Sequence, residues 1–425
     1  MKALFSVAIS ATALLLLIGL ARRHAAMRAG LGGGWCYLSV IVITLGTNIS
    51  IAAFPGRTSY PLGIAALLFF ACACAASRMN DVIGGSDRWQ RAAWWIYGTI
   101  LAWCFTVDVV VGAGVVGERW ITYAAAGVVW LGTGLLAGTM QLQPVGIAYA
   151  AAALLGSMSL PTVVVPAFWT PCNEQFDKCS PAGELFRSFA SSENYVAVVA
   201  AFVLVGATVA LRGGLRVLAI LNAAVVLAAS GSRTGLVAVV AALGAVAVLG
   251  LLRHWRRPVA RMSKRACFCA AASAVVTAVW LIFSAEPQTL SKRGSIWLAV
   301  RGHVEGHLLE GVGVSKWSYY QGIGESPQHY FHSSYALALF AGGLVAVALI
   351  GAWCFCIVRS ARGVGNVAVV APLVVLLVVD SLTEVIWNPL AVDGLTWLVV
   401  VMGCATWAGP VVGARGALQH TGAHV

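Results

Sequence analysis

The chain has 425 residues, of which 60% are hydrophobic and 10% charged, against about 25% charged in an ordinary soluble domain. This balance excludes a large water-soluble core and points to a chain solvated mostly by lipid. The formal net charge of +12 raises nucleic acid as a partner, but the placement of the charges argues against it.

A membrane span needs about 20 mainly apolar residues. Thirteen runs qualify in chain order: 3–21, 35–53, 61–77, 92–111, 120–139, 145–165, 192–211, 215–230, 234–252, 266–284, 334–358, 366–386 and 390–412. They are continuous rather than alternating, which excludes a barrel. Lipid offers the backbone no hydrogen bonds, so each span is expected to be a helix. The expected fold is an all-α polytopic membrane bundle of 12–13 spans, with 1–425 forming one integral membrane domain.

The basic residues alternate with the spans. Arg22, Arg23 and Arg28 follow the first; Arg78, Arg88 and Arg91 the third; Arg212 and Arg216 the seventh. Arg253, Arg256, Arg257, Arg261, Lys264 and Arg265 follow the ninth, Arg359 and Arg362 the eleventh, and Arg415 the last. Such residues collect on the cytoplasmic side, where they meet anionic lipid. The N-terminus is therefore expected outside and the C-terminus in the cytoplasm. Cleavage of 1–21 as a signal peptide would turn the six-charge stretch 253–265 outward, so 1–21 is read as a span. Of the acidic residues, only Asp81 and Asp87 fall on the inner side. Polar chemistry gathers outside, in 166–191, 285–333 and 380–393.

Most of the 11 cysteines sit singly in spans, as small apolar residues. Cys72/Cys74, Cys267/Cys269 and Cys354/Cys356 are two residues apart, on different helix faces, and cannot share a metal. Cys172 and Cys179 bracket PCNEQFDKC in the small outer loop, where a structural disulfide is expected.

The larger outer loop, 285–333, is expected to hold a helix over 295–310. Its apolar stripe is Ile296, Trp297, Val300, Val304 and Leu308, with Gly311 and Gly313 ending it. Lying on the membrane interface or packed over the spans, it would roof a cavity.

Arg233, in SGSRTGL, is a cation on the outer side. It could snorkel to the interface, pair with Asp380, Glu384 or Asp393, or bind an anion through its guanidinium fork. Lys292, Arg293 and Arg301 follow in SKRGSIWLAVRGHVEGH. Arg293 is expected just ahead of the loop helix, whose N-terminal amides also attract anions. Arg301 has Glu305 four residues on, a helix-surface pair. His303 and His307 share a face, but the acid between them lies on the opposite one and a third ligand is lacking. They read as surface or interface histidines, with no metal and no cofactor expected. His332 then opens HSSYALALFAGGLVA, a span containing Gly342–Gly343. Imidazole takes a proton from a hydroxyl near neutral pH. Two arginines and one histidine suggest diphosphate binding with activation of an alcohol.

The stretch from His332 resembles the motif of the O-antigen ligases. That motif is His, then Asn, Ser or Gln, nine residues, Gly, two residues, and Gly, Thr or Tyr. Here His332-Ser333 is followed by nine residues, Gly343 and, in the last place, Ala346. SGSRTGLVAVV resembles the family's Ser-Arg signature, and KRGSIWLAV and EGVGVSKW its long outer-loop segments. The resemblance covers 185–350. It implies a GT-C-like membrane glycosyltransferase of the bacterial inner membrane with its site facing the periplasm. The implied reaction is metal-independent and inverting, from a polyprenyl-diphosphate-linked glycan donor to a glycolipid or glycan acceptor. By the resemblance Arg233 and Arg293, with Arg301 as a further cation, would hold substrate, and His332 would deprotonate or orient the acceptor hydroxyl. A polysaccharide polymerase using the same donor is the alternative, with protein O-glycosylating relatives a third. A transporter of lipid-linked sugars is disfavoured, because paired repeats are not evident.

Overall fold

The structure, a computed structural model, describes residues 1–27, 88–112, 120–173 except 140 and 143, 178–254 except 191, 276–327, and 330–388 except 361 and 362. Short pieces at 269, 272–273 and 406–407 are also described. The expected spans 35–53 and 61–77, most of 390–412 and most of the basic stretch 253–265 lie outside these residues. So do Arg28, Arg78, Arg362, Arg415, Asp81, Asp87, Asp393, Cys72, Cys74 and Cys267.

The described chain is an all-α membrane bundle. Its helices are α1 (Lys2–Met27), α2 (Arg88–Val110), α3 (Trp120–Thr139), α4 (Pro144–Ser159), α5 (Glu193–Ala210), α6 (Gly213–Ser230), α7 (Arg233–His254), α8 (Thr289–Val304), α9 (Ser315–Gly322), α10 (Ser334–Ser360) and α11 (Gly363–Asp380). Residues 276–284 are also helical. Six of the described helices, α1, α2, α5, α6, α7 and α10, are long and apolar enough to cross a membrane. Thr406–Trp407, expected within the last span, instead pairs as a two-residue parallel strand with Gln141–Leu142. Its backbone groups are thus satisfied across the chain rather than along a helix.

Helix α5 is the hub and packs on α4, α6, α7 and α11. It is rich in Ala and Val, and Ala197, Ala200, Ala201 and Ala207 are fully buried. Lipid supplies no hydrophobic drive between helices, so close approach through small residues does the work. A Cβ on Gly235 of α7 would lie 3.3 Å from that of Ala197. The Ser192 hydroxyl caps α5 by accepting from the Tyr195 amide. On the other flank α2 packs on α10 and α3. Trp94 and Trp130 each donate to the other's backbone oxygen at 2.9 Å, with the rings stacked at 4.5 Å.

The two ends of the bundle differ in chemistry. At one end Arg88 and Arg359 both lie over the Trp89 ring. At the other, Lys2 pairs with Glu184 at 2.7 Å, bringing the start of α1 to the segment 166–190. That segment is held by the Cys172–Cys179 disulfide and by pairing of Trp169–Thr170 with Leu185–Phe186.

The long loop departs from expectation in three places. First, α8 spans 289–304 rather than 295–310. It starts early because the Thr289 hydroxyl accepts from the Glu286 amide. It stops early because Gly306 takes a positive φ of 88°, five residues before Gly311. Ile296, Trp297, Val300 and Val304 are buried as expected, but Leu308 lies past the helix end, exposed. Second, Arg293 is therefore inside α8 and not ahead of it. Third, Glu305 falls just outside the helix, so the pair expected with Arg301 lacks its helical geometry. Arg301 Nη1 instead donates to the Phe283 oxygen at 2.9 Å.

The loop is fastened to the spans by a break in α10. Gly342 and Gly343 leave helical geometry, Gly343 with φ 64°. The break frees backbone groups, and the loop takes them. Val312 N and Gly313 N donate to Phe340 O at 2.9 and 3.2 Å. Leu344 N and Val345 N donate to Leu308 O and Leu309 O at 2.9 and 3.2 Å. Trp103 Nε1 donates to Gly342 O at 2.8 Å. A Cβ at Gly343 would stand 2.1 Å from Leu309 O, so only glycine fits. Asp108, buried in α2, fastens the loop a second time. It accepts from the Ser315 amide at 2.9 Å, the Ser315 hydroxyl at 2.7 Å and the Tyr123 hydroxyl at 3.0 Å. Trp297, Trp317, Phe331 and Phe340 form a fully buried aromatic core between loop and spans. The Trp317 and Phe331 centroids lie 4.4 Å apart.

Candidate functional site

Helix α11 ends at Asp380, short of the expected 386. The polar run Ser381, Thr383, Glu384 leaves the helix as a turn, with Glu384 N bonded to Asp380 O at 2.9 Å. This turn meets the start of α10. Ser334 N donates to Ser381 O and Glu384 O at 3.0 and 3.1 Å. Ser333 Oγ donates to Ser381 O at 3.2 Å and Ser334 Oγ to Glu384 O at 3.1 Å. Ile386 N donates back to Ser334 Oγ at 3.0 Å. The two serines after His332 therefore lash the turn beside that histidine. His332 itself has φ 48°, one of two non-glycine residues with positive φ among the described ones. Such strain persists where surrounding contacts over-determine it, and the serine bonds on its C-terminal side do so here.

Glu384 is the centre of the cluster. Its Oε1 accepts from Arg293 Nη2 at 2.7 Å and from the Thr234 hydroxyl at 3.3 Å. Arg293 Nη1 donates to the Thr383 oxygen. Glu384 is also hydrogen-bonded to His332. Burial alone would push its carboxyl up. The His332 hydrogen bond and the Arg293 charge outweigh that and hold Glu384 below the ordinary carboxylate range. Asp380, one turn earlier, is 1% exposed. Neither of its carboxylate oxygens has a hydrogen bond among the described residues.

Thr234 arrives through the SGSRTGL turn. Gly231 closes α6 with φ 63°, and its missing Cβ makes room for Leu185 and Cys179. Ser232 Oγ accepts from the Gly235 amide at 3.3 Å, starting α7. Arg233 follows, exposed at the head of α7 and adjacent to the residue that touches Glu384.

The structure thus brings together His332, Arg293 and the Arg233–Thr234 corner, and leaves Arg301 apart on the outer surface of α8. Of the acids expected near Arg233, Glu384 binds Arg293. His303 and His307 take separate partners: His303 stacks on Tyr320 at 3.8 Å, and His307 Nδ1 meets Glu310 at 2.8 Å. Burial lowers the affinity of His303 for its proton. Two residues escaped the sequence reading. Glu384 was visible there only as one acid among three, and Asp108 only as a lone acid in an apolar run.

The cluster offers one guanidinium and an imidazole on a buried carboxylate, with Arg233 exposed nearby at the head of α7. Such an arrangement can bind an anion and move a proton beside it. No curated protein and no solved structure matches the chain. Residues 217–351 match the family model described as O-antigen ligase. That stretch carries Arg233, Arg293, His332 and the α10 break, and about a third of the chain is thus similar to the O-antigen ligases.

Proposed function

We propose that the protein transfers a glycan from a polyprenyl-diphosphate donor to an acceptor hydroxyl at the outer face of the bacterial inner membrane. The observation that carries this reading is the meeting of Arg293 and His332, 39 residues apart in sequence, on the one buried carboxylate of Glu384. Arg293 and Arg233 serve the diphosphate, whose departure builds negative charge that fixed cations stabilise. His332 takes the acceptor proton as the hydroxyl oxygen attacks the anomeric carbon. The bond from that carbon to the phosphate oxygen breaks, and its electron pair leaves with polyprenyl diphosphate. Attack opposite the leaving group inverts the anomeric centre. Glu384 balances the imidazolium so formed.

The test is transfer in proteoliposomes holding the full chain, a polyprenyl-diphosphate glycan and candidate acceptors. The expected result is one polyprenyl diphosphate released per new glycosidic bond, with inverted configuration. Glycan transfer without release of polyprenyl diphosphate would defeat the proposal. The acceptor consumed, core glycolipid or a second lipid-linked glycan, separates ligase from polymerase.

A further inference from the structure

Glu384 sits where a bound anion would sit. One of its oxygens collects a guanidinium N–H and a threonine hydroxyl, and the group is hydrogen-bonded to the imidazole as well. The Arg293 guanidinium is one of the two cations that the proposed function assigns to the donor diphosphate. We infer that Glu384 is a positioning residue that occupies the anion site until the donor arrives. On this account the diphosphate draws Arg293 away from Glu384, and the carboxylate is left to His332 alone, which becomes a stronger base only once donor is bound.

The exchange is electrostatic in origin and rests on that functional reading. A buried carboxylate needs a counter-charge. In the structure Arg293 from α8 supplies it; His332 lies on the loop side, Asp380 on the last turn of α11, and Arg233 at the head of α7. Asp380 is an acid and cannot replace the cation. When Arg293 turns to phosphate, a proton on the His332–Glu384 pair balances Glu384. Losing Arg293 removes positive charge from beside Glu384, so the bare carboxylate attracts a proton onto the imidazole that it hydrogen-bonds. During turnover the proton comes from the acceptor hydroxyl. Base strength is therefore coupled to donor occupancy, which restrains a basic site from activating water when no donor is present.

The experiment is calorimetry on the detergent-solubilised full chain, titrated with farnesyl diphosphate as head group and short tail without glycan. Glu384→Gln keeps the shape and removes the competing charge. It should bind roughly tenfold more tightly, an ordinary size for coupling between two sites, while its turnover with true donor falls. Tighter binding with slower turnover is a split that a merely structural role would not give. The wild type needs no substitution for a second readout: at about pH 8, where a phosphate is fully ionised, binding should take up a fraction of a proton from buffer. Weaker binding by Glu384→Gln, or no proton uptake by the wild type, overturns the inference. Arg293→Ala separates the levels. If it binds farnesyl diphosphate as well as wild type, the anion-site reading itself fails. If it loses binding while Glu384→Gln gains none, only the exchange fails.

Discussion

At the scale of single residues, the site is built on one shared carboxylate. The Arg293–Glu384 contact is largely buried, with side chains 18% and 10% exposed, so removing either partner strands a charge. Because the folded carboxyl titrates below its ordinary value of 4.5, the clasp stabilises the fold fully above that pH. The contribution is lost as pH falls through the lower folded value. The melting temperature of the wild type in detergent should therefore exceed that of Glu384→Gln at neutral pH and converge on it in acid. An unchanged gap in acid would contradict the clasp. Arg293 and His332 stood out in the sequence by their company, a basic loop running into a histidine at the head of a glycine-bearing span, since a lone histidine there is usually a hydrogen-bonded loop residue. Glu384 did not, because its place depends on a turn that only the Ser333 and Ser334 hydrogen bonds create.

At the scale of elements, backbone groups govern. The α10 break exists because three of its groups find partners in the loop, through four hydrogen bonds, and one more finds Trp103. Gly343→Ala meets Leu309 O and a positive φ together, and should cost about 3 kcal/mol or more, read as a fall in thermal stability and loss of transfer. Wild-type stability in that variant would refute the fastening. Asp108→Ala strands the Ser315 and Tyr123 hydroxyls and should cost about 2 kcal/mol. Its loop over 306–331 should become sensitive to protease before the spans do. Among the described residues most expected spans are helices, but their ends did not follow from hydropathy and periodicity. Gly306 ended α8 where Gly311 was expected: Gly306, Gly311 and Gly313 all take positive φ, and the latter two dock against α10 and Asp108 instead of ending the helix. The mid-span glycines of α10 gave no sign of which partner would enter the break.

At the scale of the whole molecule, the membrane class was fully written in the composition, because no soluble core needs so few charges. The sidedness expected from the basic residues is open to test. A cysteine placed at Glu325 should react with a membrane-impermeant reagent added outside intact cells, and one at Arg216 should not. The reverse pattern would turn the site to the cytoplasm. What composition could not give is the packing that joins the corner at Thr234, the middle of α8, the head of α10 and the end of α11 into one site. That convergence depends on small-residue contacts such as Gly235 on Ala197, which hydropathy does not register.

The most direct test is glycan transfer from a polyprenyl-diphosphate donor in proteoliposomes by Arg293→Ala, His332→Ala and the double variant, each inserted at wild-type level. The account predicts that each single change lowers turnover by about 10²–10³ and that the double variant loses far less than the product of the two, because both act on one centre. Full activity in either single variant, or strictly multiplicative losses, would contradict it.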